Sequence, residues 1–266
     1  MSTLKGKRVL ITGGASGIGK IMGRLALERG AELIIWDINS SKIEETRNEL
    51  SNLGKVHGYT VDVSSPEQIK AAAKQVKENL GIVDILINDA GIVVGKYFHE
   101  HTSQEILKTM EINANAPMLV ALEFLPAMIS QNSGHICNIA SSAGLISNPK
   151  MSVYASSKWA VIGWSDSLRI EMKLSKRKIG VTTVTPYYIN TGMFDGVKSL
   201  IPILKPERVA RKVIKGIEHN RIFVSMPWSV HFVRLCQGLL PIAVFDWLVG
   251  GVMGVYKTMD HFTGRK

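Results

Sequence analysis

Thr12-Gly13-Gly14-Ala15-Ser16-Gly17-Ile18-Gly19 continues a short apolar run, Arg8 to Thr12, and leads into Ile18, Ile21, Met22, Leu25 and Ala26. The second set recurs at the 3.6-residue spacing of a helix with one buried face. A strand, a glycine-rich turn and a helix in that order make a seat for a pyrophosphate. Glycines let the backbone approach the phosphates, and the free N–H groups and dipole at the helix start attract negative charge. The glycine spacing departs from Gly-x-Gly-x-x-Gly, so the reading rests on the strand-turn-helix context. Gly13, Ser16, Gly17, Ile18 and Gly19 are the candidate phosphate contacts.

Working outward, strand-like runs alternate with longer helical patterns. Strands are expected at Arg8 to Thr12, Glu32 to Asp37, Val56 to Asp62, Val83 to Asn88, His135 to Ala140, Gly180 to Thr185 and Arg221 to Ser225. Between them the periodicity predicts helices near 40–52, 66–80, 104–130, 153–174 and 206–219, and Ser65-Pro66-Glu67 supplies a cap, a first-turn proline and an acid. This alternation predicts an α/β fold, a doubly wound seven-stranded parallel sheet with helices on both faces. With 266 residues and no linker, one domain over 1–266 is expected.

Asp37 stands 18 residues after Gly19, where a carboxylate accepts hydrogen bonds from the adenosine ribose. A 2′-phosphate would be repelled there, and neither Ser16 nor Ile38 offers a cation, so NAD is favoured over NADP. Asp62 and Val63 are placed to meet adenine, by carboxylate and by apolar contact. Tyr154 and Lys158 lie four residues apart on one predicted helix and share a face. An ammonium beside a phenol lowers its pKa and makes it usable as a base. Ser141, 13 residues earlier, is placed to bond the same substrate oxygen.

Charge and hydropathy limit the partners. The net charge is +10, from 32 basic and 22 acidic residues, and residues 205–266 hold ten Lys/Arg against four Asp/Glu. No zinc-finger, basic-zipper or RNA-binding pattern accompanies the excess, so nucleic acid is not expected. No metal site is expected, because Cys137 and Cys236 cannot form a Cys-based one and His99 and His101 read as exposed loop residues. The start, Met1 to Gly6, leaves no room for a signal peptide. With free thiols, this makes the cytoplasm the expected location. From Ile222 to Tyr256 the chain is strongly apolar, but Arg234 and Asp246 divide it into stretches too short to span a bilayer. Either this 222–256 segment forms a lid or subunit contact, or it lies on a membrane surface.

Taken together, these motifs resemble the short-chain dehydrogenases/reductases from about Lys5 to at least His219. The resemblance implies a Rossmann-type domain, hydride transfer between a nicotinamide cofactor and an alcohol/carbonyl pair, and assembly as homodimers or homotetramers. Asn113 within Ile112-Asn113-Ala114-Asn115, Ser141, Tyr154 and Lys158 match the family's catalytic set. By that match Tyr154 is the acid/base, Lys158 also holds the nicotinamide ribose, Ser141 orients the oxygen and Asn113 supports a proton-relay water. The resemblance also assigns Asn88, Ala90, Gly91, Pro186, Ile189 and Thr191 to the cofactor. Two positions depart from it. Asn88-Asp89-Ala90-Gly91 carries a charge where the family has a second Asn, so Asp89 needs a cation or a proton, and altered stability rather than chemistry is expected. Tyr187 replaces a frequent glycine after Pro186.

Pro186-x-x-Ile189-x-Thr191-Gly192-Met193 and Trp36-Asp37-Ile38-Asn39 resemble the retinol and hydroxysteroid dehydrogenases of lipid droplets and reticulum membranes. The N-terminal hydrophobic anchor of many such relatives does not occur in this sequence, so membrane contact is expected elsewhere. Residues 187–204 form the expected substrate loop and 222–266 an apolar extension. Val93, Val94, Tyr97, Leu145, Ile146, Met151, Tyr187, Tyr188, Met193, Phe194, Leu200, Ile201 and Ile203 are candidate walls for a hydrophobic alcohol or ketone. A non-catalytic NAD-binding scaffold docking through its C-terminal segment is the alternative.

Overall fold

The fold is set by where the apolar residues of each strand point. In the computed structural model, which describes residues 3–264, β1 (Arg8–Thr12) sends Val9 and Ile11 to one face and Leu10 to the other. Met1, Ser2, Arg265 and Lys266, which enter the readings of the N-terminus and the charge, lie outside the described residues. β2 (Glu32–Asp37) and β4 (Ile85–Asn88) alternate likewise, with Leu33, Ile35, Ile85 and Ile87 on the first face and Ile34, Trp36 and Leu86 on the second. Such two-residue alternation with apolar groups on both faces requires a cover on each side.

The sheet is parallel throughout, ordered β3-β2-β1-β4-β5-β6-β7, with β3 at Val56–Thr60, β5 at Gly134–Ile139, β6 at Ile179–Pro186 and β7 at Phe223–Met226. One face is covered by α1 (Gly17–Leu27), α2 (Ser40–Leu50) and, after the strands are complete to β6, α7 (Pro206–Glu218). The other is covered by α3 (Pro66–Asn79), α5 (Ala116–Ser130) and α6 (Ser152–Leu174). On that side Trp36 packs against Phe124, ring centroids 5.7 Å apart. Beyond β7, the short helices α8 (Val233–Leu239) and α9 (Ile242–Asp246) bury Val233 and Phe245, with Val249 of the turn that follows α9, in a separate apolar cluster with Leu145, Val161 and Ile162.

Local chemistry explains the helix starts. Ser65 accepts the Gln68 N–H at 3.2 Å ahead of Pro66, as expected. Thr102 and Glu105 form a reciprocal capping box at the start of α4 (Ser103–Met110).

Two expected elements are corrected. The helix over 104–130 is three pieces: α4, a π-helical turn at Glu111–Asn115, and α5. The inserted residue breaks the regular ladder where Asn113 turns its amide inward. The strand expected to reach Asp62 stops at Thr60, whose partner Asp37 is the last residue of β2, so no neighbour remains to pair. The stretch Ser103–Ser130 is long and apolar enough to cross a membrane, yet half of its apolar window is buried, with α5 lying on the sheet.

His135 on β5 is buried, with Nε2 2.8 Å from the Thr182 hydroxyl, and burial pushes its pKa down to about 4. A histidine depressed on folding stabilises the protein fully above its unfolded value, about 6.5, and loses that contribution as pH falls toward 4. Urea unfolding at pH 7.5, 5.5 and 4.5 should show stability falling by roughly 2–3 kcal/mol over this interval. In His135→Gln this part of the acid slope should be missing.

Candidate active site

Strand β1 delivers the glycine turn to the carboxyl edge of the sheet, and β4 brings a second turn beside it. The Thr12 hydroxyl joins them, accepting the N–H groups of Asp89 at 3.1 Å and Ala90 at 3.2 Å. The approach is close enough that a Cβ on Gly13 would lie 3.0 Å from the Ala90 Cα, and one on Gly19 would collide with the Gly13 carbonyl and stand 2.8 Å from Asp89 Oδ2. Ser16, extended at φ −152°, provides no side-chain cap to α1, whose first turn also holds no acid. The helix start is therefore available to an anion, and the glycine cradle fits a dinucleotide's phosphates. Asp37 braces this turn, Oδ2 accepting the Ala15 N–H at 3.2 Å and Oδ1 the Asn39 N–H at 3.1 Å.

The catalytic candidates come from β5 and α6. Ser141 follows β5, and its hydroxyl accepts the Ala143 N–H at 3.1 Å while bonding the Tyr154 phenol. Tyr154 and Lys158 share a buried face of α6, with Lys158 Nζ 5.7 Å from the Tyr154 ring centroid and donating to the Ile139 carbonyl at 2.9 Å. The direction of the tyrosine shift differs from that expected. Burial, reinforced by the charge of Asp89, pushes the phenol up to about 12, and the Ser141 bond offsets only part of this. Burial likewise brings Lys158 down to about 8, although Asp89 favours its charge. Desolvation is the largest influence on both groups and favours the neutral form of each.

Asn113 is buried in the π-helical turn and its side chain is fully engaged. Oδ1 accepts the Ile92 N–H and Nδ2 donates to the Ile92 carbonyl, both at 2.8 Å, with Ser157 Oγ 3.2 Å from Nδ2. Its amide fixes the strand that leaves β4 against α6.

The cleft has a volume of about 780 Å³ counted to its open mouth. It gathers Gly13, Ser16, Gly17, Ile18, Ala90, Gly91, Ser141, Tyr154, Lys158, Pro186, Ile189 and Thr191 from the expected set. Gly19, Asn88 and Asn113 are not part of its lining. Asn88 donates to the Asn138 side chain at 2.8 Å and to the Pro117 carbonyl at 3.3 Å, locking β4, β5 and α5 together. Asp37, Ile38, Asp62 and Val63 lie farther along the same sheet edge, beyond the cleft lining. Asp62 is held by the hydroxyl and N–H of Ser64, which lower its pKa.

On the substrate side, Tyr187, Met193 and Phe194 line the cleft. An adjoining apolar recess brings Ile146, Met151 and Tyr188 together with Val255. Leu145 instead joins the core cluster under α6, and Leu200 points to solvent. Tyr187 fills the place expected for glycine by burying its ring and bonding Ser199 Oγ at 2.9 Å. Residues of the extension, missed as site residues, close this region. Thr258 bonds both Asn148 Nδ2 (2.8 Å) and the Tyr188 hydroxyl (2.9 Å), and Met259 and Phe262 pack around the same cluster. Their only signal was the apolar character of the segment. The His101 side chain is buried rather than exposed, 3.9 Å from Glu105, whereas exposed His99 stacks on Tyr97. No metal-binding cluster of His, Cys, Asp or Glu occurs among the described residues.

Residues 7–200 match the family model described as short chain dehydrogenase. The chain belongs to this family. The mouse (Mus musculus) protein named epidermal retinol dehydrogenase 2 is 39% identical over 98% of this chain and 86% of its own length. Estradiol 17-beta-dehydrogenase 11 of Pongo abelii is 37% identical over 90% and 81%. A short-chain dehydrogenase/reductase from Burkholderia phymatum, solved in complex with NAD, superposes with a TM-score of 0.82 at 25% identity, covering 90% of this chain and 95% of that one. The chain is therefore an oxidoreductase of the retinol/hydroxysteroid branch, acting on CH–OH groups with a nicotinamide cofactor. Its small-molecule substrates are alcohols and carbonyls.

Gly19→Ala, read by NADH fluorescence titration, should raise the dissociation constant at least about tenfold, because the new methyl displaces the Gly13 carbonyl from the phosphate turn. Thermal unfolding should show a folded protein.

Proposed function

We propose that this dehydrogenase interconverts a hydrophobic primary or secondary alcohol, of steroid, retinoid or long-chain type, and its carbonyl, using NAD. The observation that carries the reading is the meeting of Ser141, Tyr154 and Lys158 with the glycine turn in one cleft whose far wall is apolar. The relatives' names point to lipid-like alcohols. Asp37 at the end of β2 supports NAD over NADP, since its carboxylate would oppose a 2′-phosphate.

When bound, the nicotinamide supplies the hydride acceptor or donor. Ser141 orients the substrate oxygen, Tyr154 takes the hydroxyl proton during oxidation or returns it during reduction, and Lys158 holds the ribose and passes the proton outward. Asn113 positions α6 through Ser157. Residues 187–204 serve as the substrate loop of a single catalytic domain, and 222–266 form the extension that closes it. Tyr187, Phe194 and Val255 exclude water from the reacting oxygen.

The extension also carries a second reading, of location. Trp228, Leu239, Ile242 and Trp247 are each more than 65% exposed, which suits peripheral contact with a lipid surface from the cytoplasmic side. Arg234 and Lys257 are balanced by Asp246 and Asp260, while Arg208, Arg211, Lys212 and Lys215 sit on α7. Docking is therefore apolar rather than electrostatic. Exposed Leu122, Trp159, Ile170 and Leu174 on α5 and α6 support self-association as a homodimer or homotetramer.

Screening long-chain alcohols, retinoids and steroids for NADH production tests the function. Tyr154→Phe should lower turnover by ~10²–10⁴-fold while NADH binding is kept. An active Phe variant would remove Tyr154 from the mechanism, and absence of turnover with every alcohol would favour the scaffold. Wild-type protein should sediment with neutral phosphatidylcholine vesicles at low and high salt alike. Binding only to anionic vesicles, released by salt, would instead assign the contact to α7.

A further inference from the structure

Asp89 is the ionisable group of the cleft wall that the mechanism leaves unused. It follows β4, its Oδ2 packs against Gly19 at the head of α1, and it shares the cleft wall with Tyr154 and Lys158. A carboxylate here stands between the phosphate turn and the catalytic pair. Among the described residues no cation lies within ion-pair distance of it; Lys158 favours its charge from farther off and donates a hydrogen bond to the Ile139 carbonyl. The cation or proton expected to compensate this acid is therefore, at neutral pH and below, a proton.

We propose that Asp89 is a positioning residue whose ionisation sets how tightly the turn holds the cofactor's diphosphate and how readily Tyr154 releases its proton. The inference rests on the dehydrogenase reading. As the neutral acid, Asp89 adds no charge to the helix start. As the carboxylate it draws on the Gly19 amide, repels a diphosphate at the same helix terminus and raises the energy of a phenolate at Tyr154.

The surrounding groups place this change within the working pH range. Burial drives the Asp89 carboxyl up to about 7, opposed by Lys158 on α6 and aided by Asp37 at the end of β2, while the Gly19 amide favours the charge. Cys137 on β5 faces it as well, its thiol pushed up by burial and by Asp89. Tyr154 is faced by Ser141, Lys158, Asp89 and the hydroxyl of Tyr188. Of these groups, Asp89 is the acid brought near neutrality, so raising pH from 6 to 8.5 charges the wall beside the cofactor seat.

The test is NADH affinity by fluorescence titration at pH 6 and pH 8.5, which needs no turnover. In wild-type protein the dissociation constant should rise about five- to tenfold with pH. Asp89→Asn should remove most of this rise, leaving only what Lys158 contributes. In the same variant the pH limb of kcat/KM for alcohol oxidation should move about half to one unit toward acid, since Tyr154 loses an opposing charge. A structural role alone would change stability or amplitude and leave both profiles in place. Should the Asn variant fail to fold, Asp89→Ser carries the same expectations. Equal wild-type affinities at the two pH values, an Asn variant with the wild-type rise, or an unmoved kcat/KM limb would overturn the inference. NADH binding with the expected pH dependence but no alcohol oxidation would instead refute the dehydrogenase reading, and no NADH binding at either pH would overturn both.

Discussion

The chemistry of this chain depends on the parallel pairing of β1 with β4. The first three strands build outward in one direction, and the chain then crosses back to lay β4 on the other side of β1, so the turns leaving these neighbours diverge and open a crevice at the carboxyl edge. Into that crevice face the start of α1 from one side and the residues after β4 from the other, tied by the Thr12 hydroxyl. The end of α6 that carries Tyr154 and Lys158 reaches the same place because β5 pairs with β4 and Asn88 bonds Asn138 across the two strands. Loss of the β1–β4 register would separate the glycine turn from Tyr154 and Lys158 together.

Burial then decides the electrostatics. Tyr154, Lys158, Cys137 and Asp89 are all shifted toward their neutral forms, with desolvation the largest influence on each. The site is a low-dielectric cleft in which a single charge acts on several neighbours at once. Such a wall suits an apolar substrate and makes the protonation of any one group depend on the others. The C-terminal extension contributes to this dryness through Val255, Thr258 and Met259, so the segment that exposes Trp228 and Trp247 on its outer side also closes the cleft on its inner side.

Much of this was legible in the sequence because the signals were local. β-branched runs marked the strands, and Thr12 to Gly19 marked the phosphate turn within one strand-turn-helix unit. Tyr154 and Lys158 were readable as a pair because helical spacing alone places them on one face. What stayed hidden depended on distant neighbours. β3 reads as continuing to Asp62 because Val61 keeps its apolar character, but strand length is set by β2, which ends at Asp37. The apolar pattern through 104–130 does not show the π-helical turn, which follows from Asn113 engaging Ile92. The contacts of Thr258 and Asp89 appear only once chain segments far apart in sequence share the cleft.

The most direct test of the central claim follows the hydrogen itself. With a long-chain or steroid alcohol carrying deuterium on its carbinol carbon and unlabelled NAD, the product NADH examined by mass spectrometry or NMR should carry one deuterium on nicotinamide C4, with no exchange into water. NADH without deuterium, or label recovered in the solvent, would contradict direct hydride transfer in the cleft that Tyr154 and the glycine turn define.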